Sequence, residues 1–187
     1  GISVDITLSG MKNADIVIAQ VNPQMPRTWG DSIVHMDDID YFVEHEEPIL
    51  ESLPGKKNRK VIERIGHYVN MLVDDGATLQ IGFGHLPDAV VPYLTDKKNL
   101  GIHTQVITDG LLPLFKNKSI TNAKKNYLTD RVVASLCMGS RELYKFVDNN
   151  PIFYFKSSEF VNDPNTIAKN DNLISISSAL EVDLTGQ

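Results

Sequence analysis

Two short runs hold most of the residue types that could do chemistry. Gly82-Phe-Gly-His-Leu-Pro-Asp88 brings together two glycines, a histidine and a carboxylate. Glycines let a backbone approach a ligand closely, and the amides around them can face an anion or a developing oxyanion. A tight turn accounts for the same residues. The run lacks the third glycine of the dinucleotide fingerprint, and no Gly-Lys-Ser/Thr follows it as in a P-loop. The second run is Gly101-Ile-His-Thr-Gln105, which ends 23 residues after Gly82. By chemistry alone His103 could serve as a general base, although a buried or hydrogen-bonded histidine is the commoner explanation of such a residue.

The remaining reactive types point away from other chemistries. His35, His45, His67 and His85 show no ligand spacing, so no metal is expected. Ser135, Ser140 and Ser177 lack the Gly-x-Ser-x-Gly setting of a nucleophilic serine. Cys137 is the single cysteine. It sits in an apolar run and reads as core packing rather than as a nucleophile. One cysteine excludes an internal disulfide and a cysteine zinc cluster, and it fits a reducing compartment. Asp37-Asp38, Glu46-Glu47 and Asp74-Asp75 read as solvated or turn residues.

The elements that must position the two runs follow from periodicity. Ile2–Leu8 alternates like a strand, and Asp15–Val21 reads as a buried parallel strand. Ile33–Phe42 is mixed, with a strand expected at its start. Glu44–Asn58 holds Pro48, Pro54 and Gly55 and is the expected linker. Val61, Ile62, Ile65, Tyr68, Val69 and Leu72 recur at helical spacing over 59–75, and Gly76 is a natural stop. Ala77–Ile81 is the strand that enters the first glycine run, which opens a helix through Leu94. Leu100–Val106 is the next strand, Leu111–Phe115 a short helix, Arg131–Met138 a strand and Arg141–Val147 a helix. Phe153–Phe155, Phe160–Val161, Leu173–Ile176 and Leu180–Leu184 complete the expected strands. Strand and helix alternate, with glycine turns after strands, so the fold class is α/β with open, mostly parallel sheets. In such a sheet the two runs fall at the carboxyl ends of adjacent strands, where ligands bind.

The chain has 187 residues, which allows one domain or parts of two. Its formal net charge of −6 argues against a nucleic-acid partner, which would call for a basic face. No stretch approaches the 18 or so apolar residues that span a membrane, and the first ten residues lack the basic start of a signal peptide. A cytoplasmic location is therefore expected. The opening lacks an initiator methionine, and both ends interrupt strand-like runs. These features lead us to expect a piece of a longer chain.

Five segments resemble the acetyl-CoA hydrolase/transferase family. They are Ala14-Asp-Ile-Val-Ile-Ala-Gln-Val-Asn-Pro-Gln-Met-Pro-Arg-Thr28, Leu79-Gln-Ile-Gly-Phe-Gly-His-Leu-Pro-Asp-Ala-Val90, Leu100-Gly-Ile-His-Thr104, Phe160-Val-Asn-Asp-Pro164 and Ser178-Ala-Leu-Glu-Val-Asp-Leu-Thr-Gly-Gln187. The resemblance implies two open α/β domains of the CoA-transferase type, only partly present here. Residues 1–54 would end the first domain and residues 55–187 would start the second. It implies transfer of CoA between acetyl-CoA, or a similar acyl-CoA, and a short-chain carboxylate such as acetate or 4-hydroxybutyrate. Acyl-CoA is then a substrate, with no permanently bound cofactor, and the full-length protein is expected to be a homodimer.

The same resemblance assigns the site. Gly82, Phe83, Gly84, His85 and Leu86 correspond to the CoA-binding glycine loop. His103, Thr104, Asn22 and Met25 are expected to line the site. The family's nucleophile is a glutamate directly after a Gly-Ile-His-Thr-like run, and this chain has Gln105 there. A neutral amide is a poor nucleophile. Gln105 is therefore an engineered replacement, or the mark of a branch that binds or hydrolyses CoA esters, or a sign that another carboxylate serves, with Asp109 and Glu181 as candidates.

Overall fold

Strands that are apolar along their whole length need cover on both faces, and a parallel layer flanked by helices supplies it. The computed structural model describes residues 1–52 and 59–186. Its helices are α1 (Thr7–Asn13), α2 (Arg59–Leu72), α3 (His85–Val90), α4 (Leu112–Lys116), α5 (Arg141–Val147), α6 (Ser158–Val161) and α7 (Pro164–Ile167). Its strands are β1 (Ile18–Val21), β2 (Tyr41–Glu44), β3 (Thr78–Ile81), β4 (Gly101–Ile102), β5 (Val106–Ile107), β6 (Val132–Ala134), β7 (Leu136–Cys137), β8 (Phe153–Phe155) and β9 (Leu173–Ile176).

All the strand pairs are parallel: β4-β3-β9, β5-β7, β6-β8 and β1-β2. Apart from β1-β2, the short pieces form one layer. His103 bridges Val133 in the same register that pairs Val106 with Leu136 and Ile107 with Cys137. The expected strands Leu100–Val106 and Arg131–Met138 are therefore real paths that run side by side, each interrupted once. The interruption is local. The amides of Ser135 and Leu136 both donate to the Gln105 carbonyl, at 2.9 and 3.0 Å. The ladder is distorted at this point without a change of register.

Helices cover the layer. α2 packs on α3 and on the 3-10 turn Val91–Leu94. α5 begins where Ser140 caps it by accepting from the Leu143 amide, which satisfies one free amide of the first turn. The core runs through Leu79, Ile81, Leu94, Leu100, Ile102, Ile107, Leu114, Leu143, Phe153 and Phe155. Phe115 packs tilted against Phe146 and Phe153, which meet each other edge-on, with centroids 5.3 to 5.8 Å apart. None of the described helices is long and apolar enough to cross a membrane.

Several sequence expectations are overturned. Ile2–Leu8 is not a strand: Val4 and Asp5 both donate to the Ser135 carbonyl, and the chain turns into α1. Its alternating pattern reflects one buried contact, that of Val4. β1 is parallel but exposed, since its partner β2 leaves Ile18, Tyr41, Phe42 and Val43 in solvent. The strand expected at the start of Ile33–Phe42 lies at its far end instead. Phe160–Val161 belongs to α6, because a run that short carries no period that separates strand from helix. Leu180–Leu184 has no strand partner among the described residues and is exposed. In the expected linker, Glu44 ends β2 and Leu50–Ser52 is docked. The Tyr144 hydroxyl donates to the Leu50 carbonyl, the Ser52 amide donates to the Gly139 carbonyl, and the Arg141 amide donates to Glu51. The junction at 54/55 lies outside the described residues.

Two contacts tie distant segments to the layer and are open to test. Trp29 and Asp31 bond Phe155 on either side of Gly30, which has φ of +105°. A Cβ at Gly30 would stand 2.1 Å from the Phe155 carbonyl oxygen. Gly30→Ala is expected to cost more than about 2 kcal/mol, visible as a fall of at least about 5 °C in Tm; a change within a degree would show that this edge is not held. Lys125 is buried and donates to the carbonyls of Ile102 (2.9 Å) and Arg131 (2.8 Å), joining the β4 and β6 paths. Burial pushes its pKa from 10.5 down to about 8. Between those values the unfolded chain keeps a proton that the folded chain has lost, so this group makes stability rise with pH. Below about 8 the cost of burying the charge is fully present. Urea unfolding at pH 7.5 and 10 should show the native chain gaining about 1–3 kcal/mol relative to Lys125→Met; parallel changes in both proteins would refute the burial of a charged ammonium.

Candidate active site

The carboxyl ends of β3 and β4 are drawn together by one side chain. Thr104 is fully buried. Its Oγ1 accepts from the Ile81 amide at 3.0 Å and donates to the Ile81 carbonyl at 2.8 Å. Gly82 follows Ile81 and Gln105 follows Thr104. The glycine loop and position 105 therefore start one residue from a shared pair of hydrogen bonds.

Gly82 is explained by packing. Its amide donates to the Ile176 carbonyl, and an added Cβ would meet Ser177 Oγ at 2.6 Å. Gly84 is explained by conformation. Its φ of +141° and ψ of +166° belong to a region that only glycine occupies at little cost. Past Gly82 the loop opens: Phe83 and His85 are exposed, and none of the described residues accepts from the amides of Phe83, Gly84 or His85. Backbone donors left free at a strand end suit an anionic or carbonyl oxygen.

Gln105 is half-buried and lines a cleft of about 170 Å³ with Gln80, His103, Thr104, Val161, Asn162, Ile167, Leu173 and Ser175. The cleft lies between the β3–β9 pair and the α6–α7 turn. Gln80 and Ser175 are hydrogen-bonded to each other within it. His103 is buried, and its Nε2 stands 2.9 Å from the Val161 carbonyl oxygen. Burial pushes its pKa below the usual histidine value; the Val161 bond opposes that shift and the nearby Lys125 charge adds to it. The ring is therefore neutral at pH 7.

The structure unites only part of the expected set. His103, Thr104 and Gln105 share the cleft, whereas Gly82–Leu86 stand beside it rather than in its wall. Asn22 and Met25 line a different, larger cleft with Pro48–Ser52 and Leu136–Met138. Asp109 accepts from both the amide and the hydroxyl of Ser140, at 2.8 and 2.6 Å, and so anchors the turn into α5. Glu181 is exposed beyond β9. Neither carboxylate lines the Gln105 cleft. Gln80, Asn162 and Lys125 were not singled out from sequence. Lys125 lies in Ala123-Lys-Lys-Asn126, and no local pattern distinguishes it from its exposed neighbour Lys124.

The chain was compared with known proteins. The pattern of the acetyl-CoA hydrolase/transferase N-terminal domain matches residues 1–54, and that of the C-terminal domain matches residues 139–187. A 4-hydroxybutyrate coenzyme A transferase of Clostridium kluyveri is 48% identical over all 187 residues, which are 43% of that protein. A butyryl-CoA:acetate CoA-transferase of Anaerostipes caccae is 33% identical over 95% of this chain and 41% of its own. Among solved structures, a 4-hydroxybutyrate CoA-transferase of Porphyromonas gingivalis superposes with a TM-score of 0.92 at 42% identity, covering 98% of this chain and 47% of that one. RipA of Yersinia pestis gives a TM-score of 0.93 at 36% identity, over 100% of this chain and 42% of its own. The chain thus spans less than half the length of the curated relatives it matches. With matches to both domains of one family and relatives aligned along the whole chain, it belongs to the acetyl-CoA hydrolase/transferase family.

Proposed function

We propose that the protein containing this chain handles acyl-CoA at the carboxyl end of β3 and β4, and that position 105 is where its chemistry is decided. The observation that carries this reading is the Thr104–Ile81 bond pair, which sets the glycine loop and position 105 side by side. The relatives named above, all CoA-transferases or their structural neighbours, support CoA transfer as the reaction. Acetyl-CoA or a similar acyl-CoA is the donor and a short carboxylate such as acetate or 4-hydroxybutyrate the acceptor. The division near residue 54, with the end of one domain before it and the start of another after it, is part of the same reading, as is a homodimer of the whole protein.

With glutamate at position 105, a carboxylate oxygen attacks the thioester carbonyl and CoA leaves as the thiolate. The thiolate then attacks the glutamyl carbonyl of the resulting anhydride. The acyl group departs as a carboxylate, and a glutamyl-CoA thioester remains. An acceptor carboxylate reverses these steps. Two moderate barriers replace one high one, and the free amides of the Phe83–His85 stretch suit the oxyanions formed on the way.

Gln105 supports a second reading, in which this chain binds CoA esters, or passes them to water, without transferring CoA. An amide cannot form the anhydride. The two readings part at one substitution. Glu and Gln are nearly isosteric, so Gln105→Glu should leave packing intact. Acetyl-CoA:carboxylate exchange by the whole protein is expected to rise at least about 10³-fold in the variant, with a glutamyl thioester that hydroxylamine traps and mass spectrometry detects. Equal exchange by both forms would remove position 105 from the chemistry. Binding of acyl-CoA by both, with exchange by neither, would favour the second reading.

A further inference from the structure

The cleft beside Gln105 contains a hydrogen-bond acceptor with nothing to accept from. His103 is 1% exposed. A carbonyl oxygen can only accept, so the bond to Val161 requires the ring hydrogen on Nε2, which leaves a lone pair on Nδ1. Nδ1 is buried and has no partner among the described residues. A buried acceptor left unmatched is costly, so the site favours whatever places a donor there. The neighbours narrow the choice. Thr104 spends its hydroxyl on Ile81. Ser175 donates to Gln80 Oε1, so the amide donors of this cleft belong to Gln80 on β3, to Asn162 after α6 and to position 105. Gln105, two residues along the same strand path and in the same cleft, carries two amide N–H donors. An ionised glutamate there would offer only lone pairs.

We propose that His103 is the positioning residue for the side chain at 105: Nδ1, unpaired as the Gln105 side chain lies, accepts a hydrogen from the Gln105 amide when that side chain turns to it, and holds a proton against the carboxylate when glutamate stands there. The proposal rests on reading position 105 as the seat of the chemistry. Its electrostatics follow from the surroundings. The β3 and β6 paths meet His103 through Leu79 and Val133, and α6 meets it through Val161. The cleft walls Gln80, Asn162 and Ser175 are neutral, and Lys125 is the charged group whose field reaches the ring. With Gln105 only the Val161 carbonyl favours the imidazolium, and burial outweighs it. A carboxylate at 105 supplies the opposite charge that raises a histidine pKa. The proton comes from solvent, settles on Nδ1 and orients the carboxylate. As pH rises through the raised pKa that proton is lost, the carboxylate faces a lone pair, and transfer falls.

The test is a ¹⁵N NMR titration of histidine-labelled protein from pH 5 to 9, with His103→Gln used to assign the signal. Glutamine keeps a donor for Val161 and lacks an atom in the place of Nδ1. In the Gln105 protein, His103 should be the Nε2–H tautomer and titrate below the ordinary histidine value. In Gln105→Glu its midpoint should rise by at least about one pH unit. Adding His103→Gln to that variant should lower kcat about 10- to 100-fold with little change in KM and remove the alkaline fall of the pH profile. An Nδ1–H tautomer in the Gln105 protein, or an unmoved midpoint in Gln105→Glu, overturns the proposal. A raised midpoint without CoA transfer supports it while refuting the transferase reading. Restored transfer with an unmoved midpoint does the reverse.

Discussion

The hydroxyl of Thr104 bonds both polar groups of the Ile81 peptide at 2.8 and 3.0 Å, and the geometry of the site hangs on that double contact. β3 and β4 pair over only Thr78–Leu79 with Gly101–Ile102 before the second path bends. Past that point, backbone pairing no longer sets the spacing of the two strand ends. Thr104 takes over this role from a position that excludes water, where a satisfied bond is strong and an unsatisfied one is costly. The Gly82 turn then leaves one strand end and Gln105 the other, in the crevice that open α/β sheets use for ligands.

Around this point the protein buries several polar groups. Lys125 is held by two backbone carbonyls, His103 by one, and Ser135 gives its backbone to Gln105, Val4 and Asp5. The oxygen of the Ser135 side chain and Nδ1 of His103 are buried without partners among the described residues. Most buried polar groups in proteins are satisfied, so two exceptions on adjacent strand paths beside position 105 mark a region kept polar at a cost. Among the described residues no carboxylate lines this cleft. Glutamine therefore sits there as a neutral residue in a neutral pocket, whereas a glutamate would bring a charge that its neighbours must compensate.

The N-terminal segment is attached by contacts distant in sequence. Val4 enters the main core, Gly30 lies against Phe155, Lys156 pairs with Asp31 at 2.6 Å, and Leu50–Ser52 clasps the start of α5. Elsewhere apolar side chains remain in solvent, on β1 and β2 and along one side of α2 at Val61, Tyr68 and Leu72. Exposed apolar groups clustered in this way commonly mark surfaces that meet other protein.

Local chemistry made much of the chain legible. The apolar spacing of α2, the Ser140 cap of α5, the aromatic run of β8 and the glycine turn into α3 all depend on residues a few positions apart. So does the family resemblance, which rests on ordered motifs and marks Gln105 as the departure. What the sequence could not settle were properties decided by partners across space. Ile2–Leu8 alternates like a strand, yet Ser135 turns it aside; Asp15–Val21 looks buried, yet among the described residues its strand neighbour is the exposed β2 alone. Lys125 is indistinguishable from Lys124 until the β4 and β6 paths enclose it. Asn22 and Met25 share motifs with the site but face another cleft. The tautomer of His103 is set by a carbonyl 58 residues away. Composition and spacing determine which segments can be helix, strand or turn, because those preferences act over one or two turns of chain. Burial, protonation and the company of Gln105 depend on which atoms the folded layer brings within about 3 Å, and that only the tertiary structure decides.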